Sequence, residues 1–250
     1  MDLWDTVCLR TPGIIACTGA GGKTSLILSL SAGAKFRKIP LVITTTTKMY
    51  YDQIIKFQQV ASSTYEEGSL AVKELLAKEH TVVWFREIKS DKIIGIPPEW
   101  IDRFSKENPN YFILVEADGA AQTMIKAPAA HEPVVPNLTS VTIGVLSLDA
   151  IGKPLSAVTA HRLPLVLKLL GKQQGDIVEW LDLIKLATHK FGIFQYSKGQ
   201  KILLLSGANS AVSSSVFMKE YFQKVDHQIS RCILASGYGF QMQPIGVYNL

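Results

Sequence analysis

The segment Thr18-Gly19-Ala20-Gly21-Gly22-Lys23-Thr24-Ser25 holds the residues best suited to chemistry. Glycines at 19, 21 and 22 let a backbone turn its N–H groups inward around anionic oxygens, with no Cβ in the way. An apolar, β-branched run at 13–17 precedes the segment, and a helical pattern follows at once. A strand, a glycine loop and a helix N-terminus in that order form a phosphate cradle, because the first helical turn adds free N–H donors and a positive dipole end. Lys23 is then placed to meet the β- and γ-phosphates of a nucleoside triphosphate, and the Thr24 hydroxyl to ligate Mg2+. The expected ligand is ATP or GTP with Mg2+, held by Gly19, Ala20, Gly21, Gly22, Lys23, Thr24 and Ser25. Cys17 stands where the long form Gly-x-x-x-x-Gly-Lys-Ser/Thr has its first glycine, which leaves the shorter Gly-x-x-Gly-Lys-Thr.

Two further clusters belong at the same place. The run at 111–115 ends in Glu116-Ala117-Asp118-Gly119. An acid at the end of an apolar strand suits Mg2+, directly or through water. Glu116 is expected on the metal side and Asp118 as the group that orients or activates the attacking species, although the two roles are interchangeable at this level. A plain solvent-exposed Asp-Gly turn is the competing reading. The run at 41–43 leads into Thr44-Thr45-Thr46-Thr47-Lys48. Threonine favours strands for its shape alone. Open α/β sheets bind ligands at the carboxyl ends of their strands, so Thr46, Thr47 and Lys48 are also expected to meet phosphate or a second substrate.

Short apolar runs at 13–17, 41–45, 81–85, 111–115, 141–146, 201–206 and 231–235 have to position these groups. They are apolar on both faces, as strands covered by helices on either side are. Helical patterns intervene at 24–35, with Leu26, Ile27, Leu30 and Ala34 on one face, and at 66–78, with Leu70, Val72, Leu75 and Leu76. A third, at 177–190, has Trp180, Leu183, Ile184 and Ala187 inward and Asp176 as its cap. Ile96-Pro97-Pro98 and the Pro-rich stretch 127–136 should be loops. The fold expected is α/β, a P-loop NTPase-like three-layer sandwich with a mostly parallel central sheet, in one domain over residues 1–250.

Composition sets the outer bounds. Of 250 residues, 47% are hydrophobic and 19% charged, which excludes disorder and calls for a sizeable core. The longest apolar runs are strand-sized and fall far short of the roughly 18–20 residues of a membrane span. Acids at Asp2 and Asp5 argue against a secretion signal, so a cytoplasmic protein is expected. Cys8, Cys17 and Cys232 are too scattered for a zinc site or a disulfide framework and are read as reduced thiols. The net charge of +5 is spread along the chain. Its one cluster, Lys35-Phe36-Arg37-Lys38, falls where a helix should end and complements the dipole, so neither nucleic acid nor membrane is expected as a partner.

The glycine loop resembles that of the Mur ligases. Together with Thr44–Lys48, Val115-Glu116-Ala117-Asp118-Gly119-Ala120, Lys126-Ala127-Pro128-Ala129-Ala130-His131-Glu132-Pro133, Leu148-Asp149-Ala150-Ile151-Gly152-Lys153-Pro154-Leu155 and Ala160-His161-Arg162, it resembles the YqeC family. That family is described as accessory proteins of selenium-dependent molybdenum hydroxylases. The resemblance implies a nucleotide-dependent step in maturing a labile selenium or molybdenum centre, with a molybdenum hydroxylase or its maturation proteins as partners. It also places Lys126, His131 and Glu132 in the active-site region, a lysine for an anion and a His-Glu pair for proton transfer or metal ligation. Family members often carry an Asn-Lys-x-Asp-like element after the strand at 201–205, where this chain has Ser206-Gly207-Ala208-Asn209. ATP, or loose base recognition, is therefore favoured over GTP. Three functions remain in view: a Mg2+-dependent NTPase for cofactor maturation, a small-molecule kinase or Mur-like ligase, and a non-catalytic nucleotide-sensing partner. Oligomeric state is open at this level.

Overall fold

The computed structural model of the chain describes residues 2–7, 11–208 and 228–250. The first half runs α1 (Leu3–Thr6), β1 (Ile14–Gly19), α2 (Lys23–Phe36), β2 (Leu41–Thr45), β3 (Lys48–Tyr50), β4 (Gln58–Ala61), α3 (Tyr65–Leu76), β5 (Thr81–Phe85), β6 (Glu87–Lys89), β7 (Lys92–Ile94), α4 (Pro98–Glu107) and β8 (Phe112–Glu116). The second half runs β9 (Ile125–Lys126), β10 (Thr139–Ser147), β11 (Ala160–His161), α5 (Leu163–Leu170), α6 (Trp180–Thr188), β12 (Gln200–Ser206), β13 (Ile229–Ser236) and β14 (Gln243–Asn249).

Nine of these strands form one sheet in the order β14-β13-β12-β10-β1-β8-β2-β5-β4. β14 pairs antiparallel with β13, and the other pairings in this sheet are parallel. Neighbouring residues on each strand point to opposite layers. Ile15, Ile43 and Val145 meet Leu26, Leu30 and Ala34 of α2, with Trp4 of α1 beside them. On the other face, Ile14, Val42 and Val115 pack under α3 and α4, and Leu146, Leu203 and Leu234 pack under α5 and α6. Each such side chain taken from water contributes about 1.5–3 kcal/mol, and the two-sided burial explains why the strands read as continuous apolar runs. The chain is thus mixed α/β, with a large, mostly parallel sheet flanked by helices.

The seven expected strands are β1, β2, β5, β8, β10, β12 and β13, with ends moved by at most two residues. The helical pattern at 24–35 is α2, and Arg37 at its end pairs with Asp2 at 2.7 Å and Asp5 at 2.8 Å. Cys17 and Cys232 are buried free thiols, and Cys8 lies outside the described residues. Three expectations are corrected. Pro98 opens α4 rather than a loop, because a fixed φ and a missing N–H cost nothing at the first helical position. α6 begins at Trp180, with Glu179 as its N-cap donating to the Asp182 carboxylate at 2.8 Å. Asp176 instead closes a turn by accepting from Gln173 N at 2.7 Å. Leu70 faces solvent at 57% exposure, while Val72 and Leu76 carry the contact of α3 with the sheet.

Two small sheets stand outside the large one. β3, β7 and β6 form an antiparallel ribbon beyond the end of β2. β9 and β11 form a parallel pair beside the end of β10, where Ser147 N donates to Met124 O at 3.1 Å.

Candidate functional site

β1 runs into the glycine loop with no intervening residue, and α2 starts at Lys23. Gly19 has φ 89° and Gly21 φ 77°, left-handed values that suit glycine. A Cβ at Gly19 would strike the Val145 carbonyl, and one at Gly21 the Met124 carbonyl. Ala20 N donates to Val145 O at 2.9 Å, and the Ser206 hydroxyl donates to Gly21 O. The loop is therefore pinned from both β10 and β12.

Beneath it lies a chain of buried charges. Lys23 Nζ donates to Gly19 O at 2.6 Å and sits 3.1 Å from Asp118 Oδ1 and 3.9 Å from Glu116 Oε1. Burial alone would pull this lysine down, but Asp118 and Glu116 outweigh it and hold it above its ordinary value. Asp118 is fully buried, and its Oδ2 accepts from Gly19 N at 3.1 Å and meets Lys126 Nζ at 2.9 Å. Lys126, also fully buried, donates to Gly119 O at 2.6 Å and to Glu132 Oε2 at 3.2 Å. Glu132 Oε1 in turn accepts from Arg162 at 2.7 Å. Burial pushes Glu132 up, yet Lys126 and Arg162 together hold it below its usual range.

Glu116 is different. Burial pushes its carboxyl up to about 7, Lys23 opposes, and the Asp118 charge adds to the rise. Its Oε2 is buried with no hydrogen-bond partner among the described residues. A buried acceptor left in this way is costly unless a ligand supplies a donor or a cation.

A cavity of about 810 Å3 opens above these groups. Gly21, Gly22, Lys23, Thr24 and Ser25 of the loop line it, and so do Thr47, Lys48, Glu116 and His131. Gly19, Ala20, Asp118 and Lys126 lie behind its wall. Asp118 is thus no exposed turn, and Lys126 serves as counter-ion to two carboxylates. Thr46 is turned away, its hydroxyl donating to Val134 O at 2.7 Å. The Thr44 and Thr45 hydroxyls are likewise spent on Trp84 O and Glu116 O. His131 is 76% exposed, with Nε2 4.0 Å from Glu132.

Sequence reasoning did not single out four further lining residues: Tyr50, Lys92, Asp149 and Tyr238. Tyr238 donates to Asp149 Oδ2 at 2.9 Å, and Gly239 N donates to Ser25 Oγ at 2.9 Å, so the turn after β13 closes one end of the cavity. Asp149 had a signal, since it follows β10 as Glu116 ends β8. The other three come to the site by tertiary return alone. His161 and Arg162 also line the cavity, and burial with the Lys126 and Arg162 charges keeps the His161 imidazole below its usual value.

Among the described residues no group of three His, Cys, Asp or Glu side chains is arranged to hold a metal ion. Nucleotide-bound Mg2+ asks for less, one or two protein ligands with phosphates and waters completing the shell. The orphaned Glu116 oxygen fits that demand, and Thr24 lines the same cavity.

Fold and site together define a mixed α/β protein in which the carboxyl ends of a mostly parallel sheet gather a glycine loop, buried lysines and carboxylates under one cavity. The family model described as YqeC protein matches residues 15–164, and the chain belongs to the YqeC family. It is 27% identical over 186 residues to the uncharacterized protein YqeC of Escherichia coli (strain K12), covering 74% of this chain and 72% of that one. No solved structure matches the chain. No helix among the described residues is long and apolar enough to cross a membrane.

Proposed function

We propose that the protein binds a nucleoside triphosphate with Mg2+ on residues 21–25, with Gly19 and Ala20 shaping the loop behind them, and hydrolyses it, as an accessory step in maturing a selenium-dependent molybdenum hydroxylase. The observation that carries this reading is the unpartnered Glu116 oxygen beside a buried lysine at the first turn of α2. A carboxylate at the end of the strand next to β1 would face the metal, and the α2 N-terminus would face the phosphates. The sheet order supports the same reading. The chain leaves β1 toward β2 on one side and β10 toward β12 on the other, and that switch point is where open α/β sheets take ligands.

Each residue then has a task. Loop N–H groups and the α2 N-terminus take the β- and γ-phosphate oxygens. Lys23 exchanges Gly19 O for a phosphate oxygen while Asp118 keeps its ammonium charged and in place. Thr24 and Glu116 would hold Mg2+, and the ion would neutralise charge on the phosphates. Asp118, accepting from Gly19 N and ion-paired with Lys23 and Lys126, positions the loop in this reading rather than the attacking species. Base reading favours ATP, because Ser206 at the end of β12 is engaged with Gly21 and no lysine follows it at 207–209. Asn209 lies outside the described residues.

Phosphate release with Mg2+-ATP and Mg2+-GTP, for the wild type and Glu116→Gln, tests this. Turnover should stop in the variant while nucleotide still binds. Turnover untouched by the substitution would remove Glu116 from the machinery. Binding without turnover in the wild type would make the protein a nucleotide-sensing partner. A second reading, a small-molecule kinase or Mur-like ligase, is favoured by the size of the cavity, which extends beyond the loop to His131, His161 and Arg162.

A further inference from the structure

The two small sheets give the cavity its walls, and they stand on opposite sides of the loop. The β3–β7–β6 ribbon continues from the end of β2, with Gly95 N donating to Thr47 O at 2.9 Å and Ile96 N to Thr45 O at 3.1 Å. The β9–β11 pair is fixed to the end of β10. In the large sheet β10 and β2 flank the β1–β8 pair, so the glycine loop and Glu116 lie between the two ribbons.

Each wall carries cations. Lys48 and Lys92 line the cavity from the first, and neither makes an ion pair among the described residues. Lys92 Nζ lies 4.4 Å from the centre of the Tyr50 ring, which steadies the ammonium while leaving its N–H donors free. Arg162 lines the second wall. It pairs with Glu132 at 2.7 Å, a carboxylate that Lys126 also meets. Arg162 Nε is buried with no hydrogen-bond partner among the described residues, a donor still to be matched. A polyanionic nucleotide on the loop would need some of this charge. Cations on both flanking walls are more than the loop's own lysine and helix end require.

We infer that the walls form a subsite for a second substrate, a small molecule carrying a carboxylate or phosphate group, held between Lys48 and Lys92 on one side and Arg162 on the other. This rests on the nucleotide reading, since the subsite is that of the acceptor facing the nucleotide. Arg162 offers a planar fork suited to an oxyanion, and the two lysines act as point charges opposite it. A neutral or cationic acceptor would leave Lys48, Lys92 and the Arg162 Nε unmatched.

The test is calorimetric titration of orthophosphate, and separately of malonate, into protein saturated with Mg2+ and a non-hydrolysable ATP analogue. One or both probes should bind, and the stronger one names the acceptor's anionic group. Lys92→Ala and Arg162→Ala should each weaken that binding about tenfold or more, the scale of one lost charge-assisted hydrogen bond, and leave analogue affinity within about twofold. Lys168→Ala, on the exposed side of α5, should change neither. If Arg162→Ala does not fold by circular dichroism, Lys48→Ala replaces it from the opposite wall. The proposal is overturned if the loaded protein binds neither probe, or if the wall variants bind as the wild type does. If the analogue itself does not bind, the nucleotide reading fails separately. The same titration on Lys23→Ala protein then judges the walls alone, with loss in Lys23→Ala/Lys92→Ala supporting them and no binding refuting them.

Discussion

Two buried clusters sit close together on the large sheet and are built on opposite terms. Under α3 and α4, Trp84 packs edge-on to Phe104 with ring centroids 5.4 Å apart and stacks on Trp100 at 6.0 Å, with Tyr65 beside them. The Trp84 indole N–H donates to Ser62 Oγ at 2.9 Å, so the one polar atom of this side chain is satisfied. At the end of β8, by contrast, Glu116, Asp118, Lys23, Lys126 and Glu132 are held away from water with Arg162 half-buried at their edge, and Glu116 Oε2 is left without a partner among the described residues. Aromatic packing is favourable in proportion to area and contact, whereas a buried ion network stabilises only when complete. The first cluster holds the fold. The second keeps charge and an open valence where a ligand can use them.

The comparison can be broken at its most exposed point by Lys126→Ala. That change leaves Asp118 and Glu132 without their shared cation, and chemical denaturation should show a loss of about 4–5 kcal/mol. A near-neutral result would mean that the network is far wetter than its burial implies. Phe104→Ala tests the other side. It should cost about 3–4 kcal/mol in the same assay while leaving nucleotide affinity unchanged, because the ring touches only the aromatic cluster and its apolar surroundings.

Glu116→Gln should have the opposite sign. The folded-state carboxyl is raised from 4.5 to about 7, so the folded protein binds more protons than the unfolded chain between those values. Stability contributed by this group therefore falls as pH rises through that window, and the penalty is complete above about pH 7. The variant should be more stable than the wild type at pH 8, by up to about 3 kcal/mol, with the gain vanishing near pH 4.5. Melting curves at the two pH values check this. An equal gain at both would point to packing rather than charge.

How much of this was legible in the sequence follows from the same physics. The seven inner strands could be read because burial on both faces makes them continuously apolar. β4 at one edge, with pattern Gln58-Gln59-Val60-Ala61, and β14 at the other carry no such run. α4 was hidden by Pro97-Pro98, which a reading of proline as a breaker takes for a loop. The glycine loop and the acids Glu116 and Asp118 were visible because each sits where an apolar strand ends. The partnership of Asp118 with Lys126, and of Glu132 with Arg162, was not. It depends on β9 and β11 pairing across an interval that no local pattern encodes. The wall lysine Lys92 and the closing Tyr238 reach the cavity in the same way.

Calorimetric titration of Mg2+-ATP and Mg2+-GTP into the wild type and Lys23→Ala, with folding of the variant checked by circular dichroism, tests the central claim most directly. The account predicts binding by the wild type with ATP preferred, and a loss of about tenfold or more in the variant, because the ammonium that Asp118 holds at the loop is the group that meets the phosphates. Absent binding in the wild type, or equal binding by a folded Lys23→Ala protein, would contradict it and leave the glycine loop a structural turn.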